Sequence, residues 1–130
     1  MSEQQFSQSL EDYLETILIQ IAQSADRSAR VSDIANTLNV KKPSVVRAIE
    51  ELKLHSLVKH KPYGKIFLTA KGEKYAEKVY QRHKLLLRFF HEILGVSYKI
   101  AERDACTIEH HISVESLEKL REFIANYQNQ

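Results

Sequence analysis

The chain changes from helical to strand periodicity at one place, between Leu57 and Leu68. The runs 57–61 and 65–68 read as short strands, and Pro62-Tyr63-Gly64 between them is a turn triplet. Elsewhere the apolar residues recur mostly at helical spacing, and only three glycines and two prolines interrupt the 130 residues. The sequence therefore predicts a mainly α protein with one small β-hairpin.

Two short helices are predicted immediately before this hairpin. The first covers 33–38, with Ser32 as its expected cap, and the second starts at Pro43 after a tight turn. This pattern describes a helix-turn-helix, although an ordinary helical hairpin also fits it. The hairpin at 57–68 favours the helix-turn-helix, because a β-hairpin in that place forms the wing of a winged-helix DNA-binding unit. An earlier helix is predicted over 7–23.

Candidate DNA contacts lie on the second helix of this unit and on the hairpin. Ser44 and Arg47 can reach base edges, whereas the nearby lysines suit phosphates. The net charge is only +2, so an affinity for nucleic acid depends on this local basic surface and not on the bulk charge. The residues predicted to contact DNA are Lys41, Lys42, Pro43, Ser44, Arg47, Lys59, Lys61 and Lys65.

A group of possible metal ligands lies near the end of the chain, within 106–111. On a helix predicted over 99–111, Cys106, Glu109 and His110 stand at positions i, i+3 and i+4, so they can face one point. A thiolate, a carboxylate and an imidazole suit a first-row transition ion better than calcium or magnesium. The same three could hold a catalytic zinc, so a small metal-dependent hydrolase is an alternative.

Two further helices are predicted, over 70–94 after the capping Thr69 and over 114–127 after the capping Ser113. The part 85–94 is apolar on more than one face, which indicates either a dimer interface or simple burial. The single cysteine leaves no internal disulfide and suits a reducing cytoplasm, and neither a secretion signal nor a membrane-spanning run is seen. The buried stripe of the last helix is expected to comprise Leu117, Leu120, Phe123 and Ile124.

Six segments follow one another along the chain, at 11–17, 30–35, 42–45, 68–72, 82–86 and 105–110. In this order they resemble the diphtheria toxin repressor / manganese transport regulator family of metal-dependent transcription regulators. The resemblance implies an N-terminal winged helix-turn-helix at residues 1–72 and an all-helical metal-binding and dimerisation domain at 73–130. It implies a cytoplasmic homodimeric repressor, not an enzyme, that binds double-stranded operator DNA when Fe(II) or Mn(II) is bound. A metal-independent winged-helix regulator that senses an organic ligand is the other alternative.

The resemblance also implies a ligand set, carried over position by position. Asp12 and Glu15, which otherwise look like a solvated acidic edge, fall where the first helix of the family supplies ligands. The full set is Asp12, Glu15, His83, Cys106, Glu109 and His110.

The implied site is a hybrid of two types within the family. Cys106 matches the iron type, whereas Asp12 matches the manganese type, and Leu87 stands where the family often has an acid. Fe(II) and Mn(II) are therefore ranked close together. Because the sequence stops near Gln130, it resembles the two-domain type, without the SH3-like domain of the longer iron regulators.

Overall fold

The computed structural model describes residues 6–61 and 64–128. They divide into two compact units, Met1–Lys78 and Val79–Gln130, and the division falls within a long helix. Among the described residues, no helix is both long and apolar enough to cross a membrane. The elements of the first unit are α1 (Gln8–Gln23), β1 (Ala29–Arg30), α2 (Val31–Leu38), α3 (Lys42–Leu54), β2 (Val58–Lys61), β3 (Lys65–Leu68) and the start of α4 (Ala70–Arg88).

The first unit is a winged helix, as the sequence predicts. The helices α2 and α3 form the helix-turn-helix, with Asn39 in the left-handed conformation (φ 55°) where α2 ends. The strands form an antiparallel sheet in the order β1-β3-β2, in which His60 lies opposite Ile66. The largest fully buried apolar side chains of this unit, which form its core, are Leu14, Ile17, Ile34, Ile49, Leu52, Leu57 and Ile66.

The structure corrects three details of the first unit. The strand β1 has no counterpart in the predicted elements, because two residues are too few to show strand alternation. Because β1 leads directly into it, α2 begins at Val31, and Ser32 is inside the helix instead of capping it. Pro43 is the second residue of α3 and not the first. A backbone N–H at either position would have no partner within the helix, so proline loses no helical hydrogen bond there. Of the predicted turn, Pro62 and Tyr63 lie outside the described residues.

The start of α4 packs tightly against the residue that precedes the hairpin. The Thr69 hydroxyl accepts a hydrogen bond from the Gly72 N–H (2.9 Å), which confirms Thr69 as the cap, and donates one to the Ser56 carbonyl (2.6 Å). A Cβ on Gly72 would lie 1.8 Å from the Leu57 carbonyl oxygen. Only glycine therefore permits this close approach of the two backbones.

The second unit contains the end of α4, a π-helical segment (Phe89–Ile93), α5 (Tyr98–Ile108) and α6 (Val114–Gln128). The helix expected to run to residue 94 widens at Phe89, where the Leu94 N–H donates to the Phe89 carbonyl (3.0 Å). The predicted helix 99–111 ends at Ile108, before two of the expected ligands. Ser113 caps α6 as expected, since its hydroxyl accepts from the Ser116 N–H (3.1 Å).

The buried stripe of α6 is narrower than the sequence predicts. Leu117 and Ile124, which lie two turns apart, are buried, whereas Phe123 is 51% exposed. Phe123 instead lies beside two other aromatic rings, edge-on to Phe89 (6.2 Å between centroids) and stacked with Tyr127 (6.1 Å). The second unit thus carries an exposed aromatic surface, formed by Phe123 and Tyr127 together with the half-buried Phe89.

Candidate metal centre

The carboxylate of Glu109 is the centre of the predicted ligand group in the second unit. Glu109 is the C-cap of α5, and its N–H still donates to the Ala105 carbonyl (3.0 Å) with helical backbone angles. The helical geometry that the spacing assumes therefore holds as far as Glu109, although the helix proper ends one residue earlier. Its side chain is 0% exposed. A fully buried carboxylate is costly unless a cation or several donors compensate its charge.

Two histidines flank this carboxylate. One Glu109 oxygen lies 3.3 Å from Nε2 of His110, and the other lies 3.6 Å from Nδ1 of His83. Within the part of the chain that the structure describes, neither oxygen receives a well-formed hydrogen bond, and Nδ1 of His83 has none either. Buried polar atoms are normally hydrogen-bonded, so these convergent groups have the arrangement of ligands to a cation.

The thiol of Cys106 joins the same group from one turn earlier on α5. Its Sγ, a carboxylate oxygen of Glu109 and an imidazole nitrogen of His110 all lie within 4.8 Å of one another. Ligands of a tetrahedral transition ion stand roughly 3–4 Å apart, given bond lengths near 2 Å. The three residues thus fit a transition-metal ion in donor type and in spacing.

The charges in this group are already balanced without a metal ion. Contact with Glu109 and with Glu102 raises the pKa of His83 to about 9, although burial opposes this. Burial by itself would raise the pKa of Glu109, but the adjacent His110 and His83 lower it overall. At neutral pH His83 is therefore protonated beside an ionised Glu109, and a metal ion that binds His83 must release a proton.

Glu102 is the residue that sequence reasoning missed. Both of its carboxylate oxygens lie 3.0 Å from Nε2 of His83, the ring nitrogen that faces away from Glu109. Its side chain is 45% exposed. Glu102 precedes Cys106 by four residues on α5, and this spacing is the one signal that could have added it to the group.

Asp12 and Glu15 lie on α1 in the first unit, and both are half-buried. Their neighbour Glu11 is 2% exposed, and it accepts a hydrogen bond from the Tyr75 hydroxyl (2.6 Å) in the same unit. Glu11 therefore has a structural partner within the winged helix. Leu87, which replaces a frequent acid of the family, is a half-buried residue of α4.

The predicted DNA contacts on α3 lie at its N-terminal end. Lys41, Lys42 and Pro43 are exposed, and Ser44 is half-buried. The exposed Arg47 donates a long hydrogen bond to the Ser44 hydroxyl (3.4 Å). The structure thus places the candidate base-reading residues, Ser44 and Arg47, side by side.

The lysines of the hairpin differ in their surroundings. Lys59 and Lys61 are exposed, and the Lys61 ammonium lies 5.3 Å from the centre of the Phe67 ring. Lys65 is half-buried and forms an ion pair with Asp26 (2.8 Å). Lys65 therefore has an anionic protein partner in the absence of DNA, which the sequence did not predict.

Two family models match the chain, one in each half. Residues 5–66 match the N-terminal DNA-binding domain of the iron dependent repressors, and residues 69–130 match their metal binding and dimerisation domain. The chain belongs to the iron-dependent repressor family. Its members are metal-dependent DNA-binding transcription regulators, so the resemblance noted in the sequence is confirmed, together with the fold class.

Two named relatives support the same assignment. The transcriptional regulator MntR of Escherichia coli O6:H1 is 39% identical over 114 residues, which is 88% of this chain and 72% of the relative. An uncharacterized HTH-type transcriptional regulator of Methanocaldococcus jannaschii is 37% identical over 123 residues, which is 95% of this chain and 98% of the relative.

Solved structures of the family have the same fold. IdeR of T. acidophilum superposes with a TM-score of 0.77 at 25% identity, over 95% of this chain and 56% of that one. The manganese regulator SloR gives a TM-score of 0.77 at 28% identity, over 89% of this chain and 53% of that one. The chain spans about half the length of these solved proteins.

Proposed function

We propose that this chain is a metal-activated repressor whose activating ion is Fe(II) or Mn(II). The observation that carries the proposal is Glu109, a fully buried carboxylate flanked by two histidine nitrogens and lying within 4.8 Å of the Cys106 thiol. Cys106, Glu109 and His110 hold the ion, and His83 adds a fourth ligand. Asp12 and Glu15 of α1 complete the site.

The metal preference follows from the donor set. A thiolate favours softer ions, so Cys106 raises the affinity for Fe(II) relative to Mn(II). The carboxylates of Asp12, Glu15 and Glu109 act in the opposite direction, since oxygen ligands suit Mn(II). The concentration of each free ion in the cell then decides which one binds.

The proposed activation works through the charges of the ligands. The bound ion supplies the positive charge that lets three carboxylates and a thiolate share one site. Without it, the carboxylates of Asp12 and Glu15 on α1 repel the carboxylate of Glu109, whose charge only His83 offsets, so the winged helix is not held in one orientation. Ligands from both units fix that orientation, and metal affinity and DNA affinity then increase together by linkage.

In a homodimer, the orientation of each winged helix sets the distance between the two α3 helices that bind DNA. The exposed aromatic surface of Phe89, Phe123 and Tyr127 belongs to the part that matches a dimerisation domain, and we propose that it contributes to the dimer contact. Dimeric helix-turn-helix proteins bind half-sites about one turn of DNA apart. The two α3 helices must therefore be held at that separation.

Each α3 helix is proposed to enter the major groove by its N-terminal end. Ser44 and Arg47 contact base edges there, and Pro43 lies beside them. Phosphates are contacted by the lysines at 41, 42, 59 and 61. Lys65 contacts a phosphate as well when its ion pair with Asp26 breaks.

The test compares buried ligands with exposed neighbours of the same type. Glu109→Ala and His110→Ala are expected to abolish metal-stimulated DNA binding in a fluorescence anisotropy titration. The matched controls are Glu118→Ala and His111→Ala, which change exposed residues. Undiminished metal stimulation in the two ligand variants would contradict the proposal, and equal DNA affinity with metal and with chelator would favour a metal-independent regulator.

A further inference from the structure

The contact between Glu102 and His83 has a role that the ligand set does not include. His83 presents one ring nitrogen to each of two carboxylates, Nε2 to Glu102 and Nδ1 to Glu109. We infer that Glu102 is a positioning residue, which holds the proton of neutral His83 on Nε2 and so keeps Nδ1 open for the metal ion beside Glu109. This inference rests on the proposed function, in which His83 is a ligand.

The distances decide which carboxylate accepts the hydrogen bond from the N–H of neutral His83. A neutral imidazole carries one N–H, and a carboxylate that accepts from it fixes the tautomer and the ring orientation. Both oxygens of Glu102 lie 3.0 Å from Nε2, whereas the Glu109 oxygen lies 3.6 Å from Nδ1. Glu102 therefore receives the hydrogen bond, and the lone pair of Nδ1 faces the buried side.

The same geometry argues against Glu102 as a metal ligand. Glu109 is fully buried and faces a second histidine, so a metal ion on its side of His83 has several ligands at hand. Glu102 is nearly half exposed, and no cluster of three metal-ligating side chains among residues 6–61 and 64–128 includes it. A partner that orients a ligand histidine commonly lies on the ring nitrogen opposite the metal, as Glu102 does.

Removal of Glu102 has a specific consequence. In Glu102→Ala, the Glu109 carboxylate, whose oxygen lies 3.6 Å from Nδ1, can still accept from the His83 ring. The proton of the neutral imidazole then moves to Nδ1, which is the nitrogen that the metal ion requires. We expect metal affinity to fall about 10- to 100-fold, the usual effect of losing a partner of a ligand histidine. In Glu102→Gln the side-chain carbonyl can still accept from Nε2, so most of the affinity returns.

The experiment reads the tautomer directly by long-range ¹H–¹⁵N NMR of the imidazole, on metal-free protein at pH 10 to 10.5, where His83 is mainly neutral. Wild type and Glu102→Gln are expected to carry the proton on Nε2, and Glu102→Ala on Nδ1. Asp104→Asn is the matched control, because Asp104 lies on the same helix and its side chain is 47% exposed. The inference is overturned if wild type carries the proton on Nδ1, or if Glu102→Ala leaves it on Nε2.

A second readout uses Zn(II)-loaded protein and calorimetric titration of the same variants. The ¹⁵N shifts are expected to show coordination of His83 through Nδ1, and coordination through Nε2 would overturn the inference. A loss of thermal stability in Glu102→Ala with unchanged tautomer and metal affinity would also overturn it, because Glu102 would then be merely structural. If wild type binds no metal ion, or if Glu109→Ala binds it equally well, the proposed function fails instead. The tautomer of His83 in the metal-free protein then still tests the hydrogen bond from Nε2 to Glu102.

Discussion

Glu109→Gln removes one negative charge from a fully buried position of the second unit and keeps the shape of the side chain. In the metal-free protein, the rise in the pKa of His83 from 6.5 to about 9 reflects its contacts with Glu109 first and Glu102 second. A rise of that size corresponds to about 3 kcal/mol of interaction with the protonated imidazole. Since Glu109 has the larger share, its removal should cost on the order of 2 kcal/mol.

The sign of the pH dependence follows from the direction of the shift. A histidine whose pKa is raised by folding stabilises the native state fully below its unfolded value of 6.5, and this contribution is lost as the pH rises through about 9. Metal-free wild type should therefore lose stability between pH 7 and pH 10. The free energy of unfolding of Glu109→Gln should be lower than that of wild type at pH 6. This difference should vanish by pH 10, because the His83 ring of wild type is then neutral and no longer forms an ion pair with the Glu109 carboxylate.

Urea denaturation followed by circular dichroism, with chelator present at pH 6, 8 and 10, measures these differences. Glu118→Gln on α6 is the control, because its side chain is exposed and its stability should follow that of wild type. A Glu109→Gln effect that stays the same from pH 6 to pH 10 would refute the ion pair. So would a variant as stable as wild type at pH 6.

Three other substitutions test separate parts of the account. Gly72→Ala places a Cβ 1.8 Å from the Leu57 carbonyl oxygen and should lower the free energy of unfolding by about 1–3 kcal/mol, and a loss below about 0.5 kcal/mol in urea would contradict the close approach. Cys106→Asp should shift the ratio of Mn(II) to Co(II) affinity toward Mn(II) by about tenfold or more and remove the thiolate-to-cobalt absorption band, and an unchanged band would count against a thiolate ligand. Lys61→Ala should weaken binding to all DNA sequences alike and reduce the slope of log K against log salt by about 0.9, whereas an effect confined to one base pair would speak against a phosphate contact.

The sequence predicted the winged helix well because its signals are local. The strand pair and the capping Thr69 each depend on a few adjacent residues. Both strands lie within one residue of their predicted bounds, and Thr69 caps α4 as predicted. The strand β1 could not be predicted in this way, because two residues carry no period and Ala29 pairs with Ile66, which is far along the chain.

The second unit shows the same limit at its candidate site. The spacing of Cys106, Glu109 and His110 was enough to place three donor atoms near one another. The end of α5 at Ile108 and the π-helical segment are not indicated by the spacing of apolar residues. Glu102 was missed because its partner, His83, is on another helix, and only the folded chain brings the two within 3.0 Å.

The most direct test of the central claim is the effect of a metal ion on DNA affinity. A duplex is first selected from a random pool by the protein in the presence of Fe(II) or Mn(II), under anaerobic conditions. Its binding is then measured by fluorescence anisotropy with Mn(II), Fe(II), Co(II) or Zn(II), and with chelator. Metal activation predicts at least about tenfold tighter binding with Fe(II) or Mn(II), a coupling free energy of about 1.4 kcal/mol or more, and no such gain in Glu109→Ala. Equal affinity with metal ion and with chelator would contradict metal activation.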